Sequence, residues 1–176
     1  MAEIRIALPI TDEDIEKLRA GDKVLLTGTL ITARDAAHKR LYEALSRGEK
    51  LPVDVHGETV YYLGPSPAPE GKVIGSAGPT TSTRMDKYTP ALLGLGMKAM
   101  IGKGRRSEDV IKAMVENKAV YFAAIGGCGA LLARSVVKSE AVCYDDLGTE
   151  AIRRLTVKDL PCIVAIDAAG NDLYNK

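Results

Sequence analysis

The chain has 176 residues, 46% hydrophobic and 27% charged, with a formal net charge of +1 at pH 7. That length suits a single domain over 1–176, able to bury a core without disulfide or metal staples. The near-neutral balance argues against nucleic acid as a partner, because a phosphate-tracking surface needs a clear basic excess.

The opening MAEIRIALPI carries Glu3 and Arg5 among its apolar residues and is too short for a signal sequence or a membrane span, so no membrane association is expected. Ile4 to Leu8 reads as a strand. TDEDIEKL after it reads as a short helix, with Thr11 as cap, Asp14 able to reach back, and acids filling the first turn. Lys23 to Thr32 is β-branched and apolar with one interior glycine, Gly28, which predicts a strand with a bulge or a close crossing. The periodicity then changes to about 3.6, with Ala37, Leu41 and Leu45 on one helical face and Gly48 as the stop.

TVYYLG from Thr59 predicts another strand, and a Pro-rich turn, GPSPAPEGK from Gly64, leads to KVIGSAGPTT. Ser107 caps a helix in EDVIKAMVENK with Val110, Ile111 and Met114 inward, and AVYFAAIG from Ala119 reads as a buried strand. GALLARSVVK is predicted as a helix, SEAVCYDD as a strand, Glu150 to Leu155 as a short helical piece, and CIVAIDAAG as a final strand. Strands and helices interleave without repeats, which predicts a layered α/β or α+β domain.

Three cysteines, Cys128, Cys143 and Cys162, cannot all pair, and none stands in a CxxC spacing. They read as reduced residues of a cytoplasmic protein, small apolar side chains in a core. Cys128 stands apart, since GGCG opens a predicted helix whose dipole favours a thiolate.

The densest chemistry lies in GPTTSTRMD, Gly78 to Asp86. Gly78 and Pro79 make a sharp turn, and Thr80, Thr81, Ser82 and Thr83 present hydroxyls ahead of the Arg84 guanidinium. Hydroxyls and a rigid fork of donors suit an anion, above all a small carboxylic acid. Downstream, PALLGLGMKAMIGKG from Pro90 to Gly104 is an apolar run broken by glycines. Upstream, TARDAAHKRLYEAL from Thr32 places Arg34 at the mouth of a helix. Lys103, Arg105 and Arg106 form a further basic cluster with anion-binding potential.

TARDAAHKR, GPTTSTRMD and IGKG, in that order and at these separations, closely resemble the beta subunit of two-subunit class I fumarases, a family that also holds the L(+)-tartrate dehydratase beta subunit. The similarity continues through VYFAAIGGCGALLARSV from Val120 and DLGTEAIRRL from Asp146, so it covers nearly the whole chain. The resemblance implies a swivelling β/β/α domain. It also implies a hydro-lyase of the tricarboxylic acid cycle that converts fumarate to L-malate reversibly. A partner alpha subunit would carry a four-iron four-sulfur cluster, so that each chain of the hetero-oligomer holds half an active site.

By the same resemblance, Arg34, Arg84 and Lys103 contact substrate, and Thr80 is the proton-abstracting base. Two guanidinium groups and one ammonium make a reasonable clamp for a dicarboxylate. Lys98 competes with Lys103 for the cationic role, and substrate positioning by one hydrogen bond competes with the base role of Thr80. Asp35 and Asp86 follow Arg34 and Arg84 and are expected to pair with them and fix their orientation, with Thr81 as a further supporting residue. His38 reads as a packing or surface histidine, and Glu150 as a structural residue or a partner contact. His38 and His56 lie apart in the sequence, and no Cys, His and carboxylate cluster has ligand spacing, so no metal site is expected on this chain.

Other readings stand beside this one. Tartrate in place of malate is the nearest. A nucleotide- or phosphate-binding module is prompted by GLGMKAMIGKG, although Gly94 and Gly96 lack the third glycine of GxGxxG, and Gly102-Lys103 lacks the remaining residues of a Walker loop. A non-catalytic interaction subunit is the third.

Overall fold

The computed structural model describes residues 3–124 and 129–175. Its centre is a mixed sheet of seven strands. β1 (Ile4–Leu8), β2 (Lys23–Thr32), β3 (Thr59–Tyr61), β4 (Ala99–Gly102) and β5 (Val120–Ala124) run parallel in that order. β6 (Val136–Cys143) and β7 (Ile152–Ile166) complete the sheet. β7 runs antiparallel to β5, to β6 and to β2, so β2, β3, β4, β5 and β7 close on one another and the sheet becomes in part a barrel.

Alternation along the strands separates two cores. Leu26 and Leu30 of β2, Tyr61 of β3, Ile101 of β4, Phe122 of β5 and Leu160 and Val164 of β7 point into the enclosed face. Ile31, Val60, Met100, Tyr121 and Ile166 point the other way, where helices cover them. The central strands β3, β4 and β5 are therefore buried on both sides, as expected where crossover helices pack on a parallel sheet. Burying a large apolar side chain contributes about 2 kcal/mol, so these two layers supply most of the driving force for folding.

The helices follow local rules. α1 (Asp12–Lys17) starts where Thr11 Oγ1 accepts from the Asp14 amide at 3.1 Å. α2 (Asp35–Ser46) buries Ala37, His38, Leu41 and Ala44, and α3 (Thr89–Gly94) has Pro90 in its first turn. α4 (Glu108–Asn117) is capped by Ser107 and buries Val110, Ala113 and Met114. Among the described residues no helix is long and apolar enough to cross a membrane.

Two sequence expectations fail here. The helix predicted over GALLARSVVK ends early: α5 spans Gly129–Ala133, and Val136 to Lys138 belong to β6, where they pair with Val157 and Thr156 of β7. The helical piece predicted from Glu150 to Leu155 lies earlier, as 3₁₀ turns over Asp145–Glu150, and Ile152 already starts β7. Residues 152–155 take extended backbone because they meet β2 on one side and β6 on the other, and that pairing outweighs their helical propensity.

Candidate active site

Parallel strands that end side by side present their carboxyl ends, and the loops after them, at one edge of the sheet, where open α/β sheets usually place ligands. The three motifs meet at that edge. Arg34 follows β2, Thr80 and Arg84 lie in the segment after β3, and Lys103 follows β4. Backbone hydrogen bonds tie the segments together: Ala33 N donates to Tyr61 O at 3.0 Å, Tyr62 N to Ile101 O at 2.9 Å, and Thr80 N to Tyr62 O at 2.7 Å. Thr81 then forms a parallel bridge with Lys103, and Ser82 N donates to Lys103 O at 2.9 Å. The hydroxyl-bearing segment thus lies beside the glycine-flanked lysine as a short extension of the sheet.

Arg34 stands at the cap position of α2 and its side chain is largely buried. Its Nε lies 3.6 Å from Asp35 Oδ1 and 3.7 Å from Glu150 Oε1, is itself buried, and makes no hydrogen bond among the described residues. Glu150 Oε1 accepts from the Ala36 amide at 3.1 Å, so this carboxylate from the 3₁₀ turns satisfies an amide in the first turn of α2 and neighbours the guanidinium. Gly64 lets the chain pass close to Arg34: a Cβ there would meet Arg34 Cδ at 2.6 Å and Thr149 O at 3.2 Å.

Arg84 Nη2 forms an ion pair with Asp35 Oδ2 at 2.7 Å, with Arg84 half exposed. Asp35 therefore sits between both arginines, and its closer ion pair runs to Arg84 rather than to its sequence neighbour. Asp86 departs from expectation. It receives Arg106 Nε at 2.7 Å and the Ser107 amide at 2.7 Å, and it has no ion pair with Arg84. The turn that starts at Ser82 aims Asp86 inward while Arg84 faces out.

The basic cluster of Lys103, Arg105 and Arg106 is not assembled for an anion. Arg106 is wholly buried, Arg105 donates to Asn175 Oδ1 at 2.8 Å, and Lys103 is exposed at the sheet edge without an ion pair among the described residues. Lys98 lies at the opposite end of β4, with Nζ 3.0 Å from Asp12 Oδ1 and 3.2 Å from Asn117 O. Thr80 is half-buried and Thr81 exposed, while Ser82 turns into the core to meet Tyr121. Arg84 lines a cleft of about 730 Å³ with Thr83, Asp86, Lys87 and Ser107. Arg34, Thr80 and Lys103 lie outside that cleft, so this chain arranges its candidate residues along an edge.

His38 lies beneath Arg34. It is fully buried, its Nδ1 is 2.9 Å from Arg34 O, and its ring meets Tyr62 edge-on at 5.3 Å. Burial lowers its pKa to about 4, so it is neutral at neutral pH and packs as a core side chain.

An iron–sulfur cluster needs converging thiolates. Cys162 is fully buried, Cys143 half-buried, and burial raises the thiol pKa of both. Among the described residues no group of three or more His, Cys, Asp or Glu could hold a metal ion. These donors do not fit a cluster. Cys128, with the thiolate expectation attached to it, lies outside the described residues.

Sequence reasoning missed the buried Arg106 with Tyr62, Thr89 and Tyr121 around it, because an arginine between Arg105 and a capping serine carries no local sign of burial.

The family model described as Fumarase C-terminus matches residues 1–176. The chain is 41% identical over 156 residues to the aerobic class I fumarate hydratase of Escherichia coli K12, covering 88% of this chain and 28% of that protein. It is 37% identical over 166 residues to fumarate hydratase 2 of Leishmania major, covering 93% and 29%. Over 173 residues it is 40% identical to a protein of Methanocaldococcus jannaschii provisionally named L(+)-tartrate dehydratase subunit beta, covering 95% of this chain and 89% of that one. The chain thus spans under a third of the two fumarate hydratases and nearly the full length of the archaeal protein. With its three motifs gathered at one sheet edge and the whole chain matched, the protein belongs to the Fumarase C-terminus family.

Proposed function

We propose that this chain is the beta subunit of a cytoplasmic two-subunit iron–sulfur hydro-lyase, acting on the fumarate–malate pair as one catalytic domain with swivelling β/β/α layering. The observation that carries the reading is the position of Asp35. A carboxylate already lies between two guanidinium groups from separate strand ends, 2.7 Å from Arg84 Nη2 and 3.6 Å from Arg34 Nε. Groups that hold one carboxylate there have the chemistry to hold another.

On this reading Arg34, Arg84 and Lys103 bind the substrate carboxylates. Dehydrating malate removes a proton from the carbon beside one carboxylate, and the cations stabilise the negative charge that accumulates there. Thr80 takes that proton. Its hydroxyl is a very weak acid, so the base role needs a nearby cation to support the alkoxide. The four-iron four-sulfur cluster is assigned to the partner alpha subunit, where an open iron would supply Lewis acidity to the departing hydroxyl.

A second reading, the L(+)-tartrate dehydratase beta subunit, is favoured by the match in length to the archaeal relative. Both are tested by reconstitution. The purified chain alone should not hydrate fumarate, and an anaerobically prepared cluster-bearing subunit should restore activity, with malate against tartrate turnover separating the two. Activity from this chain alone, without iron, would refute the shared site. Thr80→Ala should abolish solvent exchange of the malate C3 proton, and exchange at near wild-type rate would reject the base role.

A further inference from the structure

A charged group is buried directly behind the proposed substrate edge. The Arg106 side chain has no exposed surface, and its donors are heavily used. Nε donates to Asp86 Oδ1 at 2.7 Å, and Nη2 donates to the Tyr62 hydroxyl and to Thr89 Oγ1, each at 3.0 Å. Nη1 lies 3.4 Å from Met100 Sδ. The guanidinium carbon is 4.9 Å from the centre of the Tyr121 ring and 5.1 Å from that of Tyr62, so aromatic rings flank it as well.

The partners of this one cation belong to the segments that carry the candidate residues. Asp86 ends the turn that holds Arg84, and its second oxygen receives the Ser107 amide at 2.7 Å. Thr89, which accepts from Arg106, donates in turn to Met85 O at 2.8 Å, inside the same turn. Tyr121, stacked on the guanidinium, lies 2.7 Å from Ser82 Oγ and donates to Gly104 O at 2.9 Å. The network therefore grips residues 82–86 from both ends and the Lys103–Gly104 turn from beneath.

We propose that Arg106 is a positioning residue, a buried guanidinium that holds the Ser82–Asp86 turn and the Lys103–Gly104 turn in register so that Thr80, Arg84 and Lys103 face one substrate. The inference rests on the functional reading above. Burying a guanidinium carries a large desolvation cost before its partners offset it, and an apolar side chain of similar size would fill the space without that cost. What the apolar substitute lacks is a planar fork that fixes three partners at once. Lysine lacks it too, having a single point charge on a flexible stem.

The test uses the reconstituted two-subunit complex with Arg106→Lys, and with Tyr121→Phe as a second variant that keeps the ring against the guanidinium and cuts only the hydroxyl link between Ser82 and Gly104. Hydrogen exchange is followed at the Ser82 amide, bonded to Lys103 O, and at the Ser107 amide, bonded to Asp86, with β2 and β7 amides as the internal reference. Arg106→Lys should speed exchange at both sites about tenfold or more while the reference amides hold. It should also lower kcat about tenfold or more with KM changed by less than about threefold, since misplacement by about an ångström costs that much in rate. Tyr121→Phe should speed exchange at Ser82 and leave Ser107 unchanged.

Unchanged exchange at Ser82 and Ser107, loosening spread evenly over the whole chain, or a loosened turn with kcat intact would each overturn the proposal. If Arg106→Lys does not fold, Tyr121→Phe decides alone, and wild-type exchange at Ser82 in that variant overturns it. A wild-type complex inactive on both malate and tartrate would instead refute the functional reading, and the exchange measurement would then judge the pinning of the two turns by itself.

Discussion

Acidification should remove part of the stability of this fold through one side chain, His38. It is fully buried and its pKa falls from 6.5 to about 4. Burial is the chief cause. The Arg34 carbonyl opposes it, the Arg106 guanidinium adds to it, and Asp35 opposes it more weakly. The ring lies against Tyr62 and near Tyr88, and its Nε2 is buried without a hydrogen-bond partner among the described residues, so nothing there stabilises a second proton on the ring. Above about pH 6.5 neither the folded nor the unfolded chain protonates this histidine, and its contribution is complete. Between about 6.5 and about 4 only the unfolded chain takes the proton, so stability declines with falling pH, and below about 4 both states are protonated and the decline stops. The gap between the two pKa values corresponds to about 3 kcal/mol, against a total of about 5–15 kcal/mol for an ordinary domain. The assay is urea unfolding of the chain at a series of pH values, read by circular dichroism because it has no tryptophan. His38→Gln removes the titration while leaving a donor for the Arg34 carbonyl. The carboxylates titrate alike in both proteins and cancel in the difference. If wild type and His38→Gln lose stability in parallel from neutral pH to about 4, His38 is not the cause and its buried, neutral state is wrong.

Gly64→Ala places a methyl 2.6 Å from Arg34 Cδ, with the Thr149 carbonyl at 3.2 Å on its other side, so Arg34 has to move. The reconstituted complex should lose about 10²-fold in kcat/KM with little change in melting temperature, and full activity would remove Arg34 from the site. Arg84→Lys keeps the charge but not the fork. KM for the dicarboxylate should rise about tenfold in steady-state kinetics, and an unchanged KM would assign Arg84 to Asp35 alone. Gly28→Ala is a test of the fold. Gly28 has φ of +138°, and an added Cβ would meet the Leu8 carbonyl oxygen and, at 2.9 Å, Leu8 Cβ, so chemical denaturation should show a loss of about 2–4 kcal/mol.

Elements governed by neighbours in the chain were legible from the residues alone. Thr11 and Ser107 cap their helices because an N-cap needs only a hydroxyl and the next turn. The β-branched run over Lys23–Thr32 became the longest parallel strand, with the register shift between Leu26 and Gly28 that its glycine announced. The helix expected through Lys138 failed where distant pairing decided. So did the helical piece after Glu150, since β7 takes its shape from β2, β5 and β6 together.

The same division runs through the candidate site. The residue order alone determined which side chains could grip an anion, because hydroxyls, guanidinium groups and glycine turns act over a few neighbouring positions. Only the tertiary structure decided that Asp35 forms its closer ion pair with Arg84, that Asp86 belongs to Arg106, and that Arg106 is sealed in the core while Lys103 stays in water. Those outcomes depend on which strand ends lie side by side and which faces the helices cover, and no local pattern encodes the desolvation that follows.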